Sequence, residues 1–174
     1  ILKRLEKGLD SAAGVIIQDY GKGILSEGLC QKIIEKSHEA KKLVAVDPHR
    51  TTPVRYYRGA DLIKPNKEEA FLLSGLQLDD LRQNPNSIYE VAGAIQKQTG
   101  AANLVITMGG DGVLICNGSQ FTRVPTASRQ VFDVTGAGDT FIAALTLAWW
   151  SGFDLPTAAC MANAAAGVVI GKIG

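Results

Sequence analysis

A chain of 174 residues with 46% hydrophobic and 20% charged residues has the composition of a globular domain, not of a disordered segment. Its formal net charge of +1 offers no basic face to nucleic acid or anionic lipid, and no apolar run reaches the ~20 residues of a membrane span. The mixed, charged start from Ile1 to Leu9 lacks a signal peptide's apolar core, and Cys30, Cys116 and Cys160 are far apart and odd in number. Buried thiols in a reducing compartment, hence a cytoplasmic location, fit this better than disulfides or a metal site.

In chain order, Ile1, Leu2, Leu5 and Leu9 have helical spacing and predict an amphipathic helix. Gly14 to Gln18, with the apolar run Val15-Ile16-Ile17 bounded by Gly and Asp, reads as a buried strand. Ser26 to Lys41 places Leu29, Ile33 and Ile34 on one face and predicts a helix capped by Ser26. Strands follow at Leu43 to Val46 and Leu62-Ile63, then helices at Lys67 to Ser74 and Ser87 to Thr99, then a strand at Leu104 to Thr107. This alternation implies crossover units and a parallel sheet covered by helices on both faces. Val113 to Cys116 and Gln120 to Val124 flank Asn117-Gly118, a pair that favours a tight antiparallel hairpin. Two Ala-rich helices, Ala137 to Trp150 and Leu155 to Ile170, close the pattern. The chain opens on Ile, not Met, and stops at Gly174 inside an unfinished pattern, so a fragment of a longer protein is expected.

In parallel sheets, ligands gather at the carboxyl ends of the strands, and the polar clusters of this chain fall there. Asp19-Tyr20-Gly21-Lys22-Gly23 ends the first strand, where Lys22 can hold a phosphate as a point charge and Asp19 faces the same side. Asn66 and Glu69, three apart at a helix start, can converge on one ligand or cap the helix. Thr107 to Gly112 supplies three glycines in four positions, so its backbone can approach a polyphosphate or simply turn. Asn163 is a polar side chain in an apolar helix and needs a partner, either a ligand or an internal acceptor. His49 and Arg50 read as an exposed loop pair, and His38 as a surface residue.

The stretch from Phe132 to Leu145 is the most informative. Gly136, Ala137 and Gly138 open a helix, leaving backbone N–H groups unshielded at its positive end, a site suited to a phosphoryl group. Asp139 follows at once, where it can accept the proton of an attacking hydroxyl or serve as the helix N-cap. A dinucleotide fingerprint would need Gly at position 141, which is Phe141.

Asp133-Val134-Thr135-Gly136-Ala137-Gly138-Asp139, with Ala143-Ala144-Leu145 after three residues, closely resembles the C-terminal signature of the ribokinase-like (PfkB) carbohydrate kinases. The resemblance runs from about Val15 to the end. It implies an α/β ribokinase-like fold with a central, mostly parallel sheet. Residues 1–174 would be the C-terminal, nucleotide-binding portion of a single kinase domain, without the N-terminal sugar-binding and lid part. It implies an ATP-dependent phosphotransferase with Asp139 as catalytic base and the N–H groups of Gly136, Ala137 and Gly138 as anion hole. By the same resemblance Asn66 and Glu69 help organise Mg²⁺ and the phosphates of ATP, Glu69 through water. Thr107, Gly109 and Gly112 contact the nucleotide phosphates, Asn163 edges the adenine pocket, and Lys172 lies on the nucleotide-side loop. Asp133 and Thr135 match positions that in several members help hold a monovalent cation, which makes K⁺ a candidate.

Within the family, Asp19-Tyr20-Gly21-Lys22-Gly23, Asp47-Pro48 and Tyr57-Arg58-Gly59-Ala60 resemble the D-glycero-D-manno-heptose-7-phosphate kinases of ADP-heptose synthesis for lipopolysaccharide. These phosphorylate the anomeric hydroxyl of a sugar that already carries a distal phosphate, which gives Asp19 and Lys22 a substrate role. His49 departs from the Lys of the enterobacterial-type pattern. The implied partner is a small-molecule sugar phosphate, with no nucleic acid and no membrane; a homodimer is compatible. Another sugar or nucleoside kinase of the family, or a non-catalytic nucleotide-binding relative, is the alternative.

Overall fold

The computed structural model describes residues 1–76, 84, 87–126 and 136–170, with residue 170 described by its backbone alone. The chain forms two compact units, Ile1–Ile106 with Cys116–Gly118, and Thr107–Ile115 with Ser119–Gly174.

The first unit begins with helix α1 (Leu2–Leu9) and strand β1 (Gly14–Gln18), followed by α2 (Glu27–Glu39) and β2 (Leu43–Asp47). Ser26 caps α2 as its sequence predicts, its hydroxyl accepting the Leu29 N–H at 3.3 Å. The helix stops two residues short of the expected Lys41, because Lys41 itself sits at φ +56°, in the left-handed region that ends a helix. A short 3₁₀ turn (Val54–Tyr57) leads to β3 (Leu62–Ile63), α3 (Lys67–Ser74), α4 (Ser87–Thr99) and β4 (Asn103–Thr107). The 3₁₀ turn has no signal in the hydrophobic periodicity.

β1, β2, β3 and β4 pair in parallel, each with the next, with Val15 opposite Val44, Ala45 opposite Leu62, and Leu62 opposite Asn103. The buried side chains of Val44, Val46, Leu62, Ile63, Leu104 and Ile106 read as the continuous apolar runs a parallel sheet requires. β1 departs from the expected buried strand: Ile17 is buried, but Ile16 is 36% exposed. Among the described residues β1 pairs with β2 alone, and α2 packs against it. Strand alternation turns Ile16 away from Ile17, onto the opposite face.

His38 is exposed as expected and joins α2 to Asp61 through Nε2 and Oδ2 at 2.9 Å. The same Asp61 oxygen accepts the Val44 N–H at 2.7 Å, so one carboxylate registers a helix and a strand.

β5 (Val113–Asn117) and β6 (Gln120–Val124) follow and are neighbours in a sheet. Only Gly118 and Ser119 join them, a link so short that the strands must be antiparallel, as Asn117-Gly118 predicts. α5 (Ala137–Trp150) and α6 (Leu155–Ile170) pack on each other, with Ile142, Leu145, Ala158 and Ala162 buried. Asp154 accepts the Thr157 N–H at 2.8 Å and fixes the start of α6. Cys30 and Cys116 are buried as expected, but Cys160 is exposed. It lies on the outer face of α6, next to exposed Met161, while Ala158, Ala159 and Ala162 take the inner face. No helix among the described residues is long and apolar enough to cross a membrane.

Candidate active site

In the first unit the parallel register brings the carboxyl ends of β1, β2 and β3 to one edge, and three polar residues stand there: Asp19, Asp47 and Lys64. Asp19 is the most heavily bonded of them. Its Oδ1 accepts the Gly21 N–H at 2.7 Å, and its Oδ2 accepts the hydroxyls of Thr52 at 2.6 Å and Tyr57 at 2.7 Å. Partial burial works against ionisation, but the bonds from Thr52, Tyr57 and Gly21 outweigh it and hold the carboxyl below its ordinary range. For the fully buried Tyr57, burial and the Asp19 carboxylate together push the phenol far up, so it stays a donor. Asp19 therefore ties the loop after β1 to the segment after β2. Lys22 is exposed and has no hydrogen-bond or ion-pair partner among the described residues, so its ammonium is available to an anion.

Sequence reasoning missed the pair formed by Asp47 and Lys64, whose Nζ lies 3.0 Å from Oδ1 with side chains 14% and 4% exposed. Gln18 Nε2 approaches the other Asp47 oxygen at 3.5 Å. An acid ending one strand and a lysine following the next carried the signal, but only a parallel register between those strands turns it into contact.

Asn66 and Glu69 form a full capping box at the start of α3. Asn66 Oδ1 accepts the Glu69 N–H at 2.9 Å, and Glu69 Oε2 accepts the Asn66 N–H at 2.8 Å. That leaves the Asn66 NH₂ and the second Glu69 oxygen without a partner among the described residues. The donor set fits magnesium, which takes one or two carboxylates and keeps several waters. No cluster of three or more acidic, His or Cys side chains able to hold a metal exists among the described residues.

In the second unit, β4 delivers Thr107 to the turn Gly109–Asp111, where Met108 N–H donates to Gly112 O at 2.8 Å. Gly109 and Gly112 both have positive φ, so the turn itself needs the glycines. Gly136 caps α5 at φ +77°, with no side chain to accept from the N–H groups of the first turn. Asp139 is thus the third residue of the helix and not its N-cap, and it is exposed. Asn163 Nδ2 donates to Pro125 O at 3.0 Å, so its amide has an internal acceptor. Asp133, Thr135 and Lys172 lie outside the described residues.

A model of the pfkB family carbohydrate kinases matches residues 10–174. The chain belongs to that family. Among curated proteins it is similar to the bifunctional protein HldE of Helicobacter hepaticus, 39% identical over 100% of this chain and 35% of that one. HldE of Wolinella succinogenes is 41% identical over 92% of this chain and 32% of its own length. The pfkB-type fold is borne out by Arabidopsis thaliana ribokinase, solved with ribose and ATP, at TM-score 0.82 and 22% identity. That match covers 97% of this chain and 53% of the ribokinase chain. The chain thus spans about a third of the HldE proteins and about half of a ribokinase.

Proposed function

We propose that the protein is an ATP-dependent sugar kinase that phosphorylates the anomeric hydroxyl of D-glycero-D-manno-heptose 7-phosphate, a step toward ADP-heptose. Residues 1–174 are its C-terminal, nucleotide-binding portion, and the longer protein supplies the remaining sugar pocket. The observation that carries the reading is the start of α5. A glycine cap without a side chain opens the helix, and an exposed carboxylate stands in its first turn. The choice of sugar rests on the Asp19-Tyr20-Gly21-Lys22-Gly23 resemblance, alongside bifunctional HldE relatives near 40% identity.

In this reading Asp139 takes the proton of the sugar hydroxyl, and the N–H groups of Gly136, Ala137 and Gly138 meet the equatorial charge of the phosphoryl group in transfer. Bound Mg²⁺ neutralises phosphate charge. Glu69 and Asn66 hold its waters with the groups their capping box leaves over. Thr107, Gly109 and Gly112 lie along the nucleotide phosphates, and Asn163 stays near the adenine while bonded to Pro125. Asp19 shapes the sugar-side loop, and Lys22 holds the distal phosphate. Because phosphoryl transfer needs little covalent help, positioning and electrostatics supply most of the rate. A cytoplasmic site of action follows from the nucleotide and sugar phosphate it uses.

The test is ATP consumption by the full-length protein against sugars with and without a distal phosphate. Turnover confined to heptose 7-phosphate is expected. Turnover with a different sugar alone overturns the substrate, and the absence of any sugar-dependent turnover overturns the kinase reading.

A further inference from the structure

His49 sits just past the carboxyl end of β2, on the edge where Asp19 and Lys22 stand, and its ring packs against Gly21. A Cβ on Gly21 would come within 2.5 Å of both Cε1 and Nδ1 of that ring, and Gly21 is at φ +65°. Only glycine permits this approach.

Thr51 engages one of the two ring nitrogens. The Thr51 backbone N–H points at Nδ1 from 3.3 Å, and Thr51 Oγ1 is 2.9 Å from the same atom. With the Thr51 N–H donating to it, Nδ1 keeps its lone pair and the ring presents an N–H at Nε2. Nε2–H has no partner among the described residues. Asp19, on the loop that carries Gly21, accepts from Gly21, Thr52 and Tyr57. Thr52 and Tyr57 hold the chain on either side of the 3₁₀ turn's start, so the segment carrying His49 is anchored to the loop carrying Lys22.

We infer that His49 is a specificity-determining residue, its Nε2–H donating to an oxygen of the phosphate monoester at the distal end of the sugar, beside the Lys22 ammonium. The inference rests on the sugar-phosphate reading above. A neutral, oriented donor adds direction to the charge that Lys22 supplies. It selects a phosphate at one position, whereas a flexible ammonium attracts any nearby anion.

The test uses the full-length protein and compares kcat/KM for D-glycero-D-manno-heptose 7-phosphate with that for the same heptose lacking the phosphate. His49→Phe keeps a flat ring on Gly21 but has no donor, and is expected to lower that preference about ten-fold through KM. His49→Gln places an amide N–H near the Nε2 position and is expected to restore most of it. If His49→Phe keeps the wild-type preference, or His49→Gln fails to recover it while folding normally, the His49 assignment falls and the sugar-phosphate reading stands. If the wild-type protein shows no preference for the phosphorylated sugar, both fall.

Discussion

The hydroxyl of Tyr57 is buried in the first unit and donates to Oδ2 of Asp19 across 38 residues of sequence, at 2.7 Å. Tyr57→Phe keeps the ring and removes one of the two hydroxyls on that oxygen. Loss of a bond to a charged acceptor costs about 1.5–3 kcal/mol, which a urea unfolding curve of the full-length protein resolves. An unchanged midpoint would show that Thr52 and Gly21 alone secure the carboxylate.

Acid should release the same cluster. A carboxyl held below its ordinary 3.8 contributes stability above that value and loses it as pH falls toward the folded-state pKa. The wild-type urea midpoint is therefore expected to fall more steeply between about pH 5 and 2 than that of Asp19→Asn, which has no such proton to take up. Parallel profiles for the two proteins would contradict the linkage.

Asp47 and Lys64 form a buried pair, so removing one partner strands the other charge. Asp47→Asn is expected to cost about 3–5 kcal/mol, and adding Lys64→Met should recover more than half of it, since the uncompensated ammonium is then gone. Equal losses in the single and double variants would place the cost in the other bonds of Asp47.

The three thiols should differ in reactivity. Burial pushes Cys30 up to about 11, with the Asp19 carboxylate adding to it, and burial alone pushes Cys116 up to about 12. Cys160 is exposed on α6. Because the thiolate is the reactive form, iodoacetamide at neutral pH should mark Cys160 first, and the other two only after unfolding. Mass mapping of the alkylated peptides gives the order.

Asp139→Asn conserves shape in the first turn of α5 but cannot accept a proton. Turnover of the full-length protein should drop by about 10²–10⁴-fold, with little change in the KM for ATP or in thermal stability. A near-normal kcat would remove Asp139 from the role of base.

Much of this protein is determined by local sequence. The helical spacing, the Ser26 cap, the Asn117-Gly118 turn and the glycine-opened start of α5 depend on near neighbours in the chain. Backbone geometry and capping act over three or four residues, so these features are legible without a fold. The family signature around Asp139 is equally local.

What the tertiary structure alone decided is how distant residues are used. Asp19, a residue expected to face the substrate, is tied to Thr52, Tyr57 and Gly21 by three hydrogen bonds that no local window shows. Asn66 and Glu69 spend half of their polar atoms capping α3. Ile16 and Cys160 are exposed because strand alternation and the outer face of α6, not their apolar character, set their surroundings. The Asp47–Lys64 pair and the seat of His49 on Gly21 join residues 17 and 28 positions apart. Such contacts depend on which strands pair and in what register, and a parallel crossover sets that register through packing that no short window of sequence contains.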